Sequence, residues 1–231
     1  MLDNWTTLSK QFAKNYKVYA IDQRNHGKSF HDSEMNYKAM AADLNEFMDE
    51  HNIYTANLIG HSMGGKTAML FATKYPELVD KLIIADIAPK EYPPHHQDII
   101  RALNSIDFTV HNSRKLIDEK LSELIPEVGV RQFILKNTYR IEKDQLAFRF
   151  NLKSLTENYS EVVKGLPVGT TYNGETLFLR GGKSQYILDR DAPLLSAHFP
   201  NYSLETVPNA GHWLHAENPK DFYNSVMGFI Q

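Results

Sequence analysis

Apolar residues along the chain follow two different spacings, and the change between them predicts the order of strands and helices. Short segments in which apolar residues stand close together, typical of strands, lie at residues 16–21, 56–60, 81–85, 176–180 and 202–207. Between these segments apolar residues recur every three or four positions, which predicts helices over residues 3–14, 37–51, 63–75 and 219–230. Strands that alternate with helices in this way predict an α/β fold, a mainly parallel sheet with helices on both faces.

Residues 91–165 interrupt the alternation because their apolar side chains recur only at helical spacing. The alternation of strands and helices resumes after this segment. We therefore expect an α/β core made of residues 1–90 and 166–231, with residues 91–165 inserted into it as a helical lid.

The composition excludes several classes of protein. The 231 residues carry 25 Lys and Arg against 28 Asp and Glu, and this net charge of −3 does not favour nonspecific binding to nucleic acids or anionic membranes. The absence of cysteine rules out disulfides and thiol catalysis. No apolar run is long enough to span a membrane, and residues 1–10 lack the pattern of a signal peptide. We expect a cytoplasmic protein that acts on a small molecule, and the sequence indicates no oligomeric state.

Residues 60–64 (GHSMG) match the pattern G-x-S-x-G and lie between an apolar run and a helix. In that context Ser62 occupies a sharp turn with its hydroxyl exposed, and glycine at positions 60 and 64 leaves room for the chain to pass. Met63 begins the helix, so its N–H is a candidate oxyanion-hole donor. Two other interpretations stay open: a glycine-rich turn without chemistry, and a phosphate-binding turn, although the second glycine of G-x-G-x-x-G is absent.

His212 is the best candidate for the base that a serine nucleophile requires. It follows the last predicted strand and therefore lies at the same end of a parallel sheet as Ser62. Other histidines near candidate segments, which have less specific surroundings, are His26, His31, His61, His95 and His96. His215 and Glu217 could form part of a metal site, but no third ligand is evident, and we expect no metal.

The carboxylate that orients the base has two candidates. Asp86 ends the apolar run 81–85, beside the strand that carries Ser62, and a lone carboxylate there is costly to bury without a partner. The usual position for this acid follows the strand 176–180, where the chain has Ser184. Asp86 is therefore favoured, and Asp189 is the alternative.

Five segments carry a family resemblance: residues 22–29, 35–44, 59–66, 86–89 and 210–217. They are similar to the motifs of the α/β-hydrolase superfamily and, more narrowly, of the YbfF-type bacterial esterases. The resemblance implies a serine hydrolase that cleaves carboxylic esters or acyl thioesters such as acyl-CoA. It also implies that Ser62 is the nucleophile, Asp86 the acid and His212 the base, and that no cofactor is used.

The start of the chain departs from this family. YbfF-type esterases carry further strands and a His-Gly loop ahead of the position where this chain begins, and that loop supplies a second oxyanion amide. Our hypothesis is that the chain is N-terminally truncated and that the first strands of the fold are missing.

Other functions stay open beside the esterase interpretation. A C–C bond hydrolase or a non-heme peroxidase can be built on the same scaffold, and a ligand-binding module could retain the three residues with weak catalysis. Arg149 is a candidate contact for an anionic group of the substrate, with a solvated arginine as the alternative.

Overall fold

The computed structural model describes residues 1–94, 97–142 and 145–231, so that His95 and His96 lie outside the described residues. The described residues group into two compact units. The core unit consists of Met1–Gln23, Asn36–Glu91 and Lys164–Gln231, and the insert unit consists of Arg24–Met35 and Tyr92–Val163. The insert unit thus includes residues 24–35 besides most of the segment expected to be a lid, whose function stays a prediction.

Helices and strands alternate along the core unit, and short helices dominate the insert unit. The strands are β1 (Ala56–His61), β2 (Val79–Ala85), β3 (Thr138–Glu142), β4 (Gln145–Phe148), β5 (Thr176–Gly181) and β6 (Tyr202–Val207). The α-helices are α1 (Thr6–Phe12), α2 (Tyr37–Glu50), α3 (Met63–Lys74), α4 (Gln97–Asn104), α5 (Arg114–Ser122), α6 (Val128–Lys136), α7 (Leu152–Glu157), α8 (Tyr159–Val163), α9 (Ala192–His198), α10 (Leu214–Glu217) and α11 (Pro219–Ile230). Short 3₁₀ helices cover Leu2–Trp5, Pro76–Leu78 and Asp189–Asp191. Within the described ranges, no helix has the length and apolar character needed to cross a membrane.

The core unit contains a four-stranded sheet in the order β1-β2-β5-β6. Each neighbouring pair is parallel, as the alternation of apolar runs and helices predicted. In the register of this sheet His61 lies opposite Ala85, and Ala85 lies opposite Leu179. The carboxyl ends of all four strands therefore meet at one edge, where open α/β sheets place their ligand crevices.

Helices cover both faces of this sheet because successive side chains of a strand point to opposite sides. On one face Ile83 belongs to a buried cluster with Leu8 of α1 and Phe222 of α11. On the other face Ile84 lies so near α3 that a Cβ added to Gly65 would come within 3.3 Å of its Cγ2. The fully buried runs of β2 and β5 thus explain why the sequence shows continuous apolar stretches there.

The prediction of a buried strand at residues 16–21 is wrong. The segment has no regular structure, and Val18, Tyr19 and Ile21 are 36%, 37% and 41% exposed. In the sheet of the described residues β1 lies at the edge, and residues 16–21 form no ladder with it. A short apolar stretch becomes a strand only when a neighbouring strand accepts and donates its backbone hydrogen bonds.

The insert unit is not purely helical, which corrects the expectation for residues 91–165. Strands β3 and β4 pair as an antiparallel hairpin. Leu146 and Phe148 of β4 alternate into a buried cluster with Ile117 and Leu121 of α5. This alternation extends over only four residues, which is too short to be distinguished from the helical spacing on either side.

Helix α3 contains a buried lysine that ties two parts of the core unit together. Lys66 is 1% exposed, and its Nζ donates to the carbonyl oxygen of Lys90 at 2.7 Å and to that of Lys164. The same ammonium lies 5.7 Å from the centre of the Tyr37 ring. Burial lowers the pKa of Lys66 to about 7. Lys90 and Lys164 lie where the chain leaves the core unit and where it returns, so Lys66 links these two chain positions.

Candidate active site

Ser62 lies on the turn between β1 and α3. Its φ of 53° and ψ of −121° fall in a region that residues other than glycine rarely adopt, which is typical of strain kept at functional sites. The Ser62 amide donates to the carbonyl oxygen of Ala85 at 3.1 Å, and this bond fixes the turn against β2. Met63 is the first residue of α3, where backbone N–H groups have no partner inside the helix.

The close packing of this turn requires glycine at two positions, one of which differs from the prediction. A Cβ at Gly60 would overlap the backbone of Gly64 and come within 2.7 Å of the Cα of Gly65. A Cβ at Gly65 would come within 2.6 Å of Ile87 Cγ2. The prediction that the turn needs glycine at position 64 is wrong, because a Cβ there would meet no atom within 4 Å apart from its chain neighbours and the backbone of its own helix.

The three residues predicted to form a nucleophile, a base and an acid come together at the carboxyl edge of the sheet. Ser62 Oγ lies 3.0 Å from His212 Nε2, and His212 Nδ1 lies 2.8 Å from Asp86 Oδ2. With the proton on Nδ1, the imidazole donates to the carboxylate and its Nε2 accepts from the serine hydroxyl. The arrangement can therefore take a proton from Ser62 and keep the resulting imidazolium beside a negative charge.

Asp86 is fully buried, and its carboxylate is surrounded by donors. It follows β2 with a φ of 50°, so the chain turns sharply where the strand ends. Its Oδ1 accepts from the Gly181 amide at 3.0 Å, and its Oδ2 accepts from the Ser184 hydroxyl as well as from His212 Nδ1. These three hydrogen bonds offset the cost of placing a carboxylate in the interior.

Asp189, the alternative acid, lies away from this arrangement. Its side chain is 89% exposed, and its Oδ1 pairs with Arg180 Nη1 at 2.5 Å. The structure thus brings Asp86 to His212 and does not bring Asp189 there.

Two further histidines pack behind His212. His61 Nε2 donates to the backbone carbonyl of His212 at 2.7 Å, and the rings of His61 and His215 are 4.5 Å apart. His215 stacks on Trp5 with 4.6 Å between ring centres. Burial first, and then the neighbouring imidazoles of His212 and His215, hold the pKa of His61 well below its ordinary value. Burial and His212 lower the pKa of His215 to about 4, so both rings are neutral near pH 7.

The possible metal ligands noted in the sequence have other contacts. Glu217 Oε2 accepts from the Gly211 amide at 2.8 Å, while His215 contacts aromatic rings. Within residues 1–94, 97–142 and 145–231, no three His, Asp or Glu side chains are grouped as metal ligands. His26 and His31 belong to the insert unit.

The loop after β5 contributes two contacts that the sequence does not reveal. Ser184 stands at the usual position of the acid and donates to Asp86. The sequence shows only that this position lacks a carboxylate. The ring of Tyr186 stacks on His212, with ring centres 3.9 Å apart and 17° between the planes. No sequence pattern indicates this stacking, since a tyrosine in a polar loop has no characteristic spacing relative to its partner.

Arg149, the candidate contact for an anionic group, belongs to the insert unit. Its amide donates to the Asn137 carbonyl at 2.7 Å, and its carbonyl accepts from the Gly27 amide at 2.6 Å. The guanidinium lies 5.8 Å from the centre of the Tyr139 ring. Its role toward a substrate stays a prediction.

Comparison with known proteins places this geometry in a family. The alpha/beta hydrolase fold family matches residues 1–124. The sn-1-specific diacylglycerol lipase ABHD11 of Mus musculus is 35% identical over 98% of this chain and 76% of its own length. Esterase YbfF of Escherichia coli is 34% identical over 99% of this chain and 88% of its own length. A marine microorganism esterase of known structure superposes with a TM-score of 0.94 at 43% identity, covering 98% of this chain and 90% of that one. The chain therefore belongs to the α/β-hydrolase family, among its YbfF-type esterases, and is a hydrolase of the carboxylesterase type.

Proposed function

We propose that the protein cleaves carboxylic esters and acyl thioesters through an acyl-enzyme formed on Ser62. The observation that carries this proposal is the position of His212, whose two ring nitrogens reach Ser62 Oγ at 3.0 Å and Asp86 Oδ2 at 2.8 Å. A single imidazole that contacts a hydroxyl on one side and a buried carboxylate on the other is the arrangement that activates a serine.

Acylation begins when Ser62 Oγ attacks the carbonyl carbon of the substrate. His212 Nε2 takes the proton of the hydroxyl as the new C–O bond forms, and the carbonyl oxygen becomes an oxyanion. The tetrahedral intermediate then collapses, and His212 returns the proton to the departing alcohol or thiol. Asp86 stays ionised throughout, keeps the imidazole in the correct tautomer and stabilises its charged form.

Deacylation repeats these proton transfers with water. His212 Nε2 takes a proton from the attacking water, the acyl–oxygen bond of the intermediate breaks, and the proton passes to Ser62 Oγ. The products are a carboxylic acid and the restored hydroxyl of Ser62.

The Met63 amide is the proposed donor to the oxyanion. It lies at the start of α3, where the free N–H groups and the positive end of the helix dipole favour negative charge. An oxyanion donor of this kind contributes about 10²–10³ in rate.

Substrate choice is the finer part of the proposal. We assign the shaping of the acyl pocket to the predicted lid, residues 91–165, and a contact with an anionic group of the substrate, such as the coenzyme A part of an acyl-CoA, to Arg149. Replacing Arg149 with Gln then raises KM for acyl-CoA and leaves KM for a neutral p-nitrophenyl ester unchanged. Equal effects on both substrates contradict the assignment.

The first experiment compares three substrates on the whole chain: a short-chain p-nitrophenyl ester, a diacylglycerol and an acyl-CoA. We expect hydrolysis that is abolished in Ser62→Ala and in His212→Ala, and labelling of Ser62 by a fluorophosphonate, located by peptide mass spectrometry. Hydrolysis that persists in Ser62→Ala rejects the mechanism. Ligand binding without turnover in the wild type supports a weakly catalytic binding module instead.

A matched pair of variants tests the acid. Asp86→Asn removes the carboxylate beside His212, and we expect a loss in kcat of about 10⁴-fold, as for the acid of other serine triads. Asp189→Asn changes an exposed carboxylate and is expected to retain wild-type activity. The opposite ranking of the two variants would identify Asp189 as the acid.

A further inference from the structure

The loop that follows β5 contacts both the proposed acid and the proposed base. Its Ser184 hydroxyl donates to Asp86 Oδ2 and accepts from the Tyr186 amide at 3.2 Å. Its Tyr186 ring lies nearly parallel to the imidazole of His212 at 3.9 Å. Tyr186 is half-buried, and its ring covers one face of the imidazole.

We propose that Tyr186 is a positioning residue for His212: it fixes the plane of the imidazole and stabilises the imidazolium that forms when Ser62 gives up its proton. The inference rests on the proposed function, since it requires His212 to act as the base. It extends that function to a residue that contacts the base from the side, away from the line through Ser62 and Asp86.

The imidazole of His212 can rotate about its Cβ–Cγ bond, so catalysis requires that its orientation about this bond be fixed. His212 reaches Ser62 and Asp86 only in one plane, because both hydrogen bonds lie in the plane of the ring. A stacked ring 17° from parallel resists rotation out of that plane. The ring of His61 also lies near the imidazole, but it is tilted by 43° and the ring centres are 4.7 Å apart, so Tyr186 makes the closer and flatter contact.

The positive charge that His212 carries during the reaction also favours an aromatic neighbour. The titratable groups that face His212 are Asp86 at Nδ1, the rings of His61 and His215 behind it, and the phenol of Tyr186. Asp86 supplies negative charge, while His61 and His215 are neutral and supply none. The face of an aromatic ring attracts a cation, and this attraction is present only when His212 is protonated.

The experiment compares Tyr186→Phe, which keeps the ring, with Tyr186→Leu and Tyr186→Met, which remove it. For a p-nitrophenyl ester we expect both aliphatic variants to lower kcat about tenfold with KM changed less than about twofold, because a positioning residue acts on the transition state. The acidic limb of the kcat/KM profile should move to lower pH by about half a unit to one unit, because loss of the aromatic face disfavours the protonated base. Tyr186→Phe should retain the wild-type rate and profile.

Three outcomes overturn the inference: aliphatic variants as active as the wild type, a loss in Tyr186→Phe equal to that in Tyr186→Leu, or lower rates with an unchanged pH profile. Thermal unfolding of each variant, together with active-site titration by a fluorophosphonate, corrects the rates for misfolded protein. His212→Ala, assayed in parallel, separates this inference from the proposed function. If His212→Ala stays active, the proposed function itself fails; if it is inactive while the aliphatic variants equal the wild type, only the role of Tyr186 fails.

Discussion

Replacing Ser184 with Ala tests how the buried carboxylate of Asp86 is stabilised. The change removes one of three donors and leaves the Gly181 amide at 3.0 Å and His212 Nδ1 at 2.8 Å. A hydrogen bond to a charged group contributes about 1.5–3 kcal/mol to stability. For a chain of this length 1 kcal/mol shifts the Tm by about 2–4 °C, so a loss of roughly 2 kcal/mol lowers it by about 4–8 °C.

The effect on catalysis is expected to be much smaller than the loss in Asp86→Asn. Asp86 keeps its charge and its bond to His212 in Ser184→Ala, so kcat/KM should fall less than about tenfold, against about 10⁴-fold when the acid is removed. Thermal unfolding followed by circular dichroism and ester hydrolysis at neutral pH give both quantities, and Ser184→Thr, which keeps a hydroxyl, serves as the control. An unchanged Tm in Ser184→Ala, or a rate as low as that of Asp86→Asn, would refute the reasoning.

Three further predictions follow from the packing around the site. Gly60→Ala should lower the Tm strongly because its Cβ would overlap the Gly64 backbone. Gly64→Ala should leave the Tm unchanged or raise it, since alanine favours a helix over glycine by about 0.5–1 kcal/mol. Equal melting temperatures of the two variants would contradict this prediction. His61→Gln, which can still donate to the His212 carbonyl, should retain more of kcat than His61→Ala, and the reverse order in ester hydrolysis would remove the role given to that bond. The pKa of Lys66 falls to about 7 on folding, so above that pH the unfolded chain binds more protons than the folded protein. The free energy of unfolding, measured in urea, should therefore rise between about pH 7 and 10.5, and it should rise more in the wild type than in Lys66→Met. Parallel curves for the two proteins would show that Lys66 does not titrate in this range.

The sequence predicts best the strands that are covered by helices on both faces of the sheet. Strands β2 and β5 are recognisable because nearly every side chain is buried between helices. Residues 16–21 show a similar pattern without becoming a strand, since pairing depends on a neighbouring strand and not on the segment itself. The sequence does not predict the hairpin of β3 and β4, because its alternation of apolar and polar residues is too short to be distinguished from the helical spacing around it.

The candidate site divides in the same way. Ser62 and Asp86 are predictable because each stands directly after a strand, and His212 because it lies in the loop that follows β6; parallel strands bring their carboxyl ends together. Ser184 and Tyr186 lie in a loop, and which atoms a loop contacts depends on its path through space. The vacant acid position at Ser184 was the only sign in the sequence that this loop differs, and no sign pointed to the ring of Tyr186.

The register of β1 against β2 has a consequence for how this site can change over generations. Gly60 lies opposite Ile84 and His61 opposite Ala85, so Ser62 and Asp86 leave the ladder at the same level, each with a positive φ. The pairing is regular from Leu58 and Leu82 onward, so one residue inserted or deleted in that part of either strand would move the later side chains to the other face and separate the nucleophile from the acid. We therefore expect length variation to be tolerated at the turn Pro76–Leu78 and not in the paired segments 58–61 and 82–85. Ser62 and Asp86 thus lie on one continuous strand–helix–strand segment, whereas the base His212 lies in a distant part of the chain.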